Sequence, residues 1–299
     1  MPMTDVVVTF VDGRDPEWRR AYAESLGVPT LEKRYRDWGL LKYLLRGIQC
    51  NMPFVGNVHL VVSSPSQVPQ WVDTERLHIV CHKDIIPEKY LPTFNSITIE
   101  MFLHNIEGLA EQFIYFNDDM FAMLPVGEEY FFENGKVNIG FAKHCIASGI
   151  VRHTCRNSDR LARKVAGMGR GVQYVRPQHC ASPMLRSRCK EAFEAAKDEI
   201  CATLTRIRTK GNLCQYFFLD YLYYKNLATG KRFERRHFSL AVHKGSKIAE
   251  WLRNPDVPIA CINDVEMSQS QYEDYRAELL AAFEERFPQK SVFELPDSE

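Results

Sequence analysis

Two acidic clusters in this sequence stand where apolar runs stop. Asp5 to Val11 is a β-branched run that ends in Asp12-Gly13-Arg14-Asp15-Pro16, and Phe113-Ile114-Tyr115-Phe116 passes without a spacer into Asn117-Asp118-Asp119. Adjacent carboxylates repel unless a cation or an arginine compensates them, and Mg²⁺ carrying a nucleotide pyrophosphate would do so. Asp12 and Asp15 could likewise take ribose hydroxyls or a metal-bound pyrophosphate. Each cluster also has a purely local reading, because Asp, Gly and Pro favour a turn followed by a helix start, and Asn-Asp-Asp suits a capping turn. Asn95 and Ser96 precede a helical stretch carrying Glu100, and the free N–H groups of a capped helix start can hold a phosphate. His179, in Gln178-His179-Cys180-Ala181-Ser182-Pro183-Met184, precedes a helical segment beside a basic stretch and is a candidate for proton transfer or for an ordinary structural role. Arg206 and Arg208 are phosphate-binding candidates and equally ordinary surface residues.

Other signatures are missing. The sequence contains no GxGxxG, no GxxxxGK[ST], no GxSxG elbow and no HExxH helix. The 299 residues balance 38 Lys+Arg against 38 Asp+Glu, so net charge offers no general case for nucleic-acid binding. With 45% hydrophobic residues, intrinsic disorder is excluded. No stretch approaches the roughly 20 apolar residues of a membrane span, and the N-terminal run reads as a first strand, not as a signal peptide. The nine cysteines are dispersed without a CxxC pair, which gives no support to a zinc ribbon and fits a reducing cytoplasm. Cys81 and Cys261 follow apolar residues and read as small core residues.

The elements that must position these residues follow from periodicity. Strands are expected over Asp5–Val11, Asn57–Ser63, Leu77–Cys81 and Phe113–Phe116, with helices over Glu17–Leu26, Gly39–Ile48 and Ser96–Ile106. Their alternation predicts an α/β fold with a mostly parallel sheet and flanking helices, in which ligands collect beyond the carboxyl ends of the strands. Glu191–Thr205, Leu213–Leu227 and Ser268–Phe287 read as helices, a helical insertion and C-terminal part. No linker is long or polar enough to divide the chain, so residues 1–299 read as one domain with a basic, helical subregion over 149–230. Between Gly149 and Lys190 basic residues face only Asp159 as an acid. That stretch is either a solvated Arg-rich helix pair or a surface for an anionic acceptor or lipid headgroup.

Taken together, these motifs resemble one family. DVVVTFVDGRDP, RYRDWGLLKYLLRGI, HKDIIPEKYLPTFNSITIE and FIYFNDDMF resemble the first two conserved regions of the Stealth proteins. QHCASPM with its following helix resembles the third region, and Cys261 to Val265 (CINDV) the fourth. The likeness runs from Asp5 to about Val265 in the family's order. It implies a Rossmann-like core similar to nucleotide-sugar transferases. The activity it implies is transfer of a sugar-1-phosphate from a UDP-sugar to a sugar hydroxyl, releasing UMP and building a phosphodiester-linked capsular or exopolysaccharide. It also implies Mg²⁺ or Mn²⁺ at Asp118 and Asp119. His179, Asp118 and Arg208 would be catalytic, with His179 favoured as base. Asp5, Asp12, Asp15, Arg36, Asn95, Ser96, Asn117, Asn263 and Asp264 would shape the donor and phosphate site.

The sequence departs from the family's pattern at three places. Phe10 stands where the family usually has Trp, and Trp38 and Leu40 where it has Asn and Glu; the third region is loose around Ala181 and Ser182. The expected partners are a UDP-sugar, a glycan acceptor and, through residues 149–190, the inner face of a membrane, with no nucleic acid. The expected location is the cytoplasm. Two rivals release or keep the nucleotide differently: a metal-dependent glycosyltransferase would release UDP, and a non-catalytic glycan-binding subunit would release nothing.

Overall fold

Strand β1 (Thr4–Thr9) is buried along its whole length, as a β-branched run must be when both faces of its sheet are covered. The computed structural model describes residues 3–27, 35–141, 149–171, 175–231 and 233–296. Cys145, Arg34 of the RYRDWG motif and residues 172–174 of the basic stretch lie outside them. After β1 come α1 (Pro16–Leu26), α2 (Leu41–Asn51), β2 (Val55–Val62), β3 (His78–Cys81), α3 (His82–Ile85), α4 (Ser96–Glu100), β4 (Gln112–Asn117) and β5 (Met120–Ala122). They are followed by β6 (Phe132–Glu133), β7 (Lys136–Gly140), α5 (Gly149–Val165), β8 (Ser182–Leu185), α6 (Arg186–Ala195), α7 (Lys197–Thr203) and α8 (Tyr216–Tyr224). The remainder is β9 (Ala228–Lys231), β10 (Arg235–Ser239), α9 (Gly245–Arg253), β11 (Ile259–Asn263) and α10 (Gln269–Arg286).

The main sheet has the order β3-β2-β1-β4-β8 and is mostly parallel, as the alternation of strands and helices predicts. Strand β8 runs antiparallel to β4, with Gln112 opposite Leu185 and Tyr115 opposite Ser182. By contact density the chain forms two compact units, each assembled from separate segments. One holds Met1–Val7, Val80–Tyr115 and Glu128–Phe233; the other holds Val8–Ile79, Phe116–Gly127 and Glu234–Glu299.

In the first unit, α5 packs on the nearly all-buried α8 (YFFLDYLYY), and β6-β7-β9 form a small sheet. In the second, β10 and β11 pair in parallel and β11 pairs antiparallel with β5. Helix α2 lies so close to β5 that a Cβ on Gly47 would fall 2.6 Å from the Ala122 carbonyl oxygen. Phe283 of α10 stacks on Tyr43 and tilts against Phe121, tying α10 to the same core.

Several elements differ from the periodicity reading. The helix expected over Ser96–Ile106 stops at Glu100, and Leu103–Asn105 tightens into a 3₁₀ turn that buries Phe102 and Leu103. The single helix expected over Glu191–Thr205 is two, α6 and α7, broken at Ala196. What directly follows His179 is strand β8, and the helix comes only after it. Short strands such as β8 and β11 carry too few residues for an alternation to stand out. No helix of the described residues is long and apolar enough to cross a membrane.

Candidate functional site

In the second unit the DGRDP turn is built as one hydrogen-bonded block. Asp15 caps α1 by accepting from the Glu17 N–H at 2.9 Å, and Pro16 occupies the first helical turn where its missing N–H costs nothing. The other Asp15 oxygen accepts from Gln67 Nε2 at 2.7 Å and Ser66 Oγ at 2.8 Å. Burial works to raise the Asp15 pKa, but the Gln67, Ser66 and backbone donors outweigh it and hold the carboxyl below its ordinary value. Gln67 also accepts from the Asp12 N–H at 2.7 Å and donates to the Asp12 carbonyl at 3.1 Å. Gln67 is a residue that the sequence reading passed over; nothing in its neighbourhood marks it, since its partners lie more than fifty positions away.

Asp12 faces a different set of groups. Its carboxylate takes Arg14 in a forked pair at 3.0 Å, and Arg14 reaches on to Asp37 at 2.6 Å. Burial pushes the Asp37 carboxyl up, against the pull of the Gly39 N–H and Arg14. These side chains, with Phe10, Ser66 and Trp71, line a cavity of about 370 Å³. Gly13 is fixed there by close approach: its N–H donates to the Tyr35 carbonyl at 2.8 Å, and an added Cβ would sit 2.3 Å from that same oxygen. Gly13→Ala is therefore expected to cost about 1–3 kcal/mol through forced backbone movement. Thermal melting of the variant beside the native protein reads that cost.

Trp38 and Leu40, which with Phe10 depart from the family pattern, also sit in this unit. Trp38 donates its indole N–H to Asp264 at 3.0 Å, and its ring meets Tyr272 edge-on at 4.9 Å. Arg36 lies over the other partner of that contact, 4.5 Å from the centre of the Tyr272 ring. Burial raises the Asp264 pKa, with Trp38, the Val265 N–H and Arg36 opposing it. Asn263 donates to the Asp264 carbonyl at 3.3 Å. Leu40 is buried at 7% exposure, so the position is a core position in this chain.

Asn117 ends β4, and Asp118 and Asp119 form the tight turn into β5. Asp118 is exposed and Asp119 half-buried. The Asp119 carbonyl accepts from Ile262 of β11 at 2.9 Å, and its carboxylate from Cys261 Sγ at 3.3 Å. Cys261 is thus a hydrogen-bond partner of the acidic turn as well as a core residue. Two neighbouring carboxylates offer hard oxygen donors, the set that Mg²⁺ and Mn²⁺ prefer.

The first unit gathers a second group. Asn95, fully buried, caps α4 through the Ile97 N–H at 3.2 Å and donates to Thr205 and Asn212, so the cap is bolted to the loop that carries Arg208. Arg208 is exposed and its guanidinium donates to the Ser96 hydroxyl. Glu100, at the far end of α4, is buried and accepts from the Gln215 N–H at 2.9 Å. Burial raises its pKa, while the Gln215 N–H, Arg208, His179 and Ser96 each favour the ionised form. Ser96 opens the helix that Glu100 ends, and Arg208 and His179 act on that buried carboxylate through their charge. Glu100 was missed as a site residue; its place four positions after Ser96 on a capped helix is the only local sign. Asp5, by contrast, is buried completely and accepts from the Ala110 N–H at 2.9 Å, a position in the sheet interior.

The profile described as Stealth protein CR2, conserved region 2, matches residues 34–139, a span that includes Asn95, Ser96, Glu100 and Asn117–Asp119. The chain belongs to the Stealth family. This Stealth protein is 34% identical over 229 residues to a capsular polysaccharide phosphotransferase of Actinobacillus pleuropneumoniae, covering 70% of the chain and 62% of that relative. It is 41% identical over 145 residues to a receptor polysaccharide phosphotransferase of Streptococcus oralis, covering 45% of the chain and 43% of the relative. A capsular polysaccharide phosphotransferase of Streptococcus pneumoniae is 29% identical over 336 residues, covering 99% of the chain and all of that relative. In the first two the matched stretch is less than two thirds of the relative's own length.

Proposed function

We propose that this Stealth protein is a hexose-1-phosphate transferase. It moves a sugar-1-phosphate from a UDP-sugar to a hydroxyl of a capsular or exopolysaccharide acceptor and releases UMP. The phosphotransferase relatives support the reaction class, and the exposed Arg208 guanidinium bonded to the Ser96 hydroxyl at the start of α4 is the observation that carries the chemistry. In this reading His179 takes the proton of the acceptor hydroxyl as that oxygen attacks the β-phosphorus. The bond from the β-phosphorus to the bridging oxygen breaks, and the electron pair leaves with UMP. Arg208, an exposed guanidinium beside the Ser96 hydroxyl, binds the phosphoryl oxygens on which charge accumulates. Glu100 balances the charge that the imidazole gains. The cavity around Asp12 and Arg14 takes a polar part of the donor nucleotide. Asp118 and Asp119 would hold Mg²⁺ or Mn²⁺, which when bound supplies positive charge to the pyrophosphate.

The deciding experiment follows nucleotide release by mass from a panel of UDP-sugars with Mg²⁺ and a short uncharged glycan. UMP with an acceptor heavier by a hexose phosphate is expected, arrested by EDTA and restored by Mg²⁺ or Mn²⁺. UDP with an acceptor heavier by a bare sugar would replace this reading with a glycosyltransferase. Calorimetric binding of donor without any release across the panel would replace it with a binding subunit.

A further inference from the structure

Helix α5 carries Arg152, Arg156, Arg160 and Lys164 at every fourth position, and all four are exposed. Residues four apart form one inclined ridge on an α-helix and rise about 6 Å per step, so these charges extend over roughly 18 Å. The opposite face, Cys155, Ser158, Leu161 and Ala162, is buried, and the helix packs there on α8.

The acidic groups around the helix are few. Asp159 points inward and is engaged by Arg163, the Val175 N–H and the Tyr224 hydroxyl. Glu199 of α7 pairs with Lys164 at the surface. Among the described residues no carboxylate pairs with Arg152 or Arg160. A solvated helix face ordinarily mixes signs, whereas this one is cationic from end to end. An interfacial membrane helix needs an apolar face to insert, and α5 has spent its own on α8.

We propose that the ridge of Arg152, Arg156, Arg160 and Lys164 binds the anionic glycan polymer through its phosphodiester groups. This rests on the transfer reading, because phosphodiester linkage puts a negative charge on every transferred unit even where the sugar is neutral. A linear row of cations complements a linear polyanion, and binding then releases counterions from the chain. The ridge would keep a growing polymer on the protein between transfers without touching the reacting atoms.

The test uses poly(glycerol phosphate), a phosphodiester-linked polyol, with neutral dextran of similar length and vesicles of phosphatidylglycerol in phosphatidylcholine as controls. The full chain is compared with the Arg152→Gln/Arg160→Gln double variant and the Arg152→Gln/Arg156→Gln/Arg160→Gln triple variant, folding being checked by thermal melting. The intact protein should bind the phosphodiester polymer with steep salt dependence and ignore dextran. The triple variant should bind at least tenfold more weakly and with a shallower salt slope, and the double variant should fall between. UMP release to a short uncharged acceptor should be unchanged in both variants. Equal polymer affinity in the triple variant would overturn the proposal, and so would wild-type binding to the anionic vesicles but not to the polymer. Polymer binding is measured without donor, so a failure to release UMP removes the reaction while the surface is still tested.

Discussion

His179→Gln is expected to slow UMP release by about 10²- to 10⁴-fold, the range that a positioned general base contributes. Donor affinity and melting temperature should barely move, because the half-buried imidazole is not part of the hydrophobic core. Glu100→Gln separates charge balance from proton transfer. The amide oxygen can still accept from the Gln215 N–H, so the fold is kept, but the charge acting on His179 is lost. A smaller loss of turnover should result, with a change in pH profile as its signature. Burial raises the Glu100 pKa, so in the native protein the acid limb of activity should lie above the ordinary glutamate value, and Glu100→Gln should remove that limb. Unchanged turnover in His179→Gln, measured with the same donor and acceptor, would sink the assignment of the base.

The largest expected effect on stability comes from Glu294. Its carboxylate grips Arg46 of α2 in a forked pair at 2.8 Å on both arms, with the two side chains only 5% and 4% exposed. Arg46 also donates to the Phe287 carbonyl at 2.7 Å, and Glu294 accepts from the Ser291 N–H and hydroxyl. Glu294→Ala leaves a buried guanidinium with its main partner gone, which should cost about 3–5 kcal/mol. The pair also predicts a pH dependence. Burial works to raise the Glu294 pKa, but Arg46 and the Ser291 donors win and hold it below the ordinary 4.5. A carboxyl depressed in the native state contributes stability that is complete above the unfolded value and is lost as pH falls through the folded one. Chemical denaturation between pH 7 and pH 3 should show that loss in the native protein and a flatter curve in Glu294→Gln.

Both predictions depend on contacts across long stretches of chain, and this marks where sequence reading stops. Strands β1 to β4 were legible because a β-branched or aromatic run closed by Asp, Gly or Pro is a local signal that burial on both faces enforces. A capped start to α4 was legible for the same reason, since the N–H groups a cap satisfies lie within its own helix turn, although only the structure decides between Asn95 and Ser96, in favour of Asn95. So was the surface position of the basic stretch, which both of its readings shared, although the single ridge that α5 makes of Arg152, Arg156, Arg160 and Lys164 was not read from it. The extent of α4 was not legible. Apolar residues at Phe102, Leu103 and Ile106 continue a helical period, and only packing decides that they tighten into a 3₁₀ turn instead.

The sequence by itself determined the alternating sheet, the acidic turns that end two of its apolar runs, and the family. Only the tertiary structure decided which side chains face each other. Trp38 meets Asp264 across 226 positions, Asn95 meets Asn212 across 117, and His179 and Arg208 act on Glu100 from separate loops. Local hydrogen bonding and periodicity are written into neighbouring residues. A contact between distant residues leaves no period, because it is fixed by how the packed elements place two backbones and not by the residues adjacent to either one.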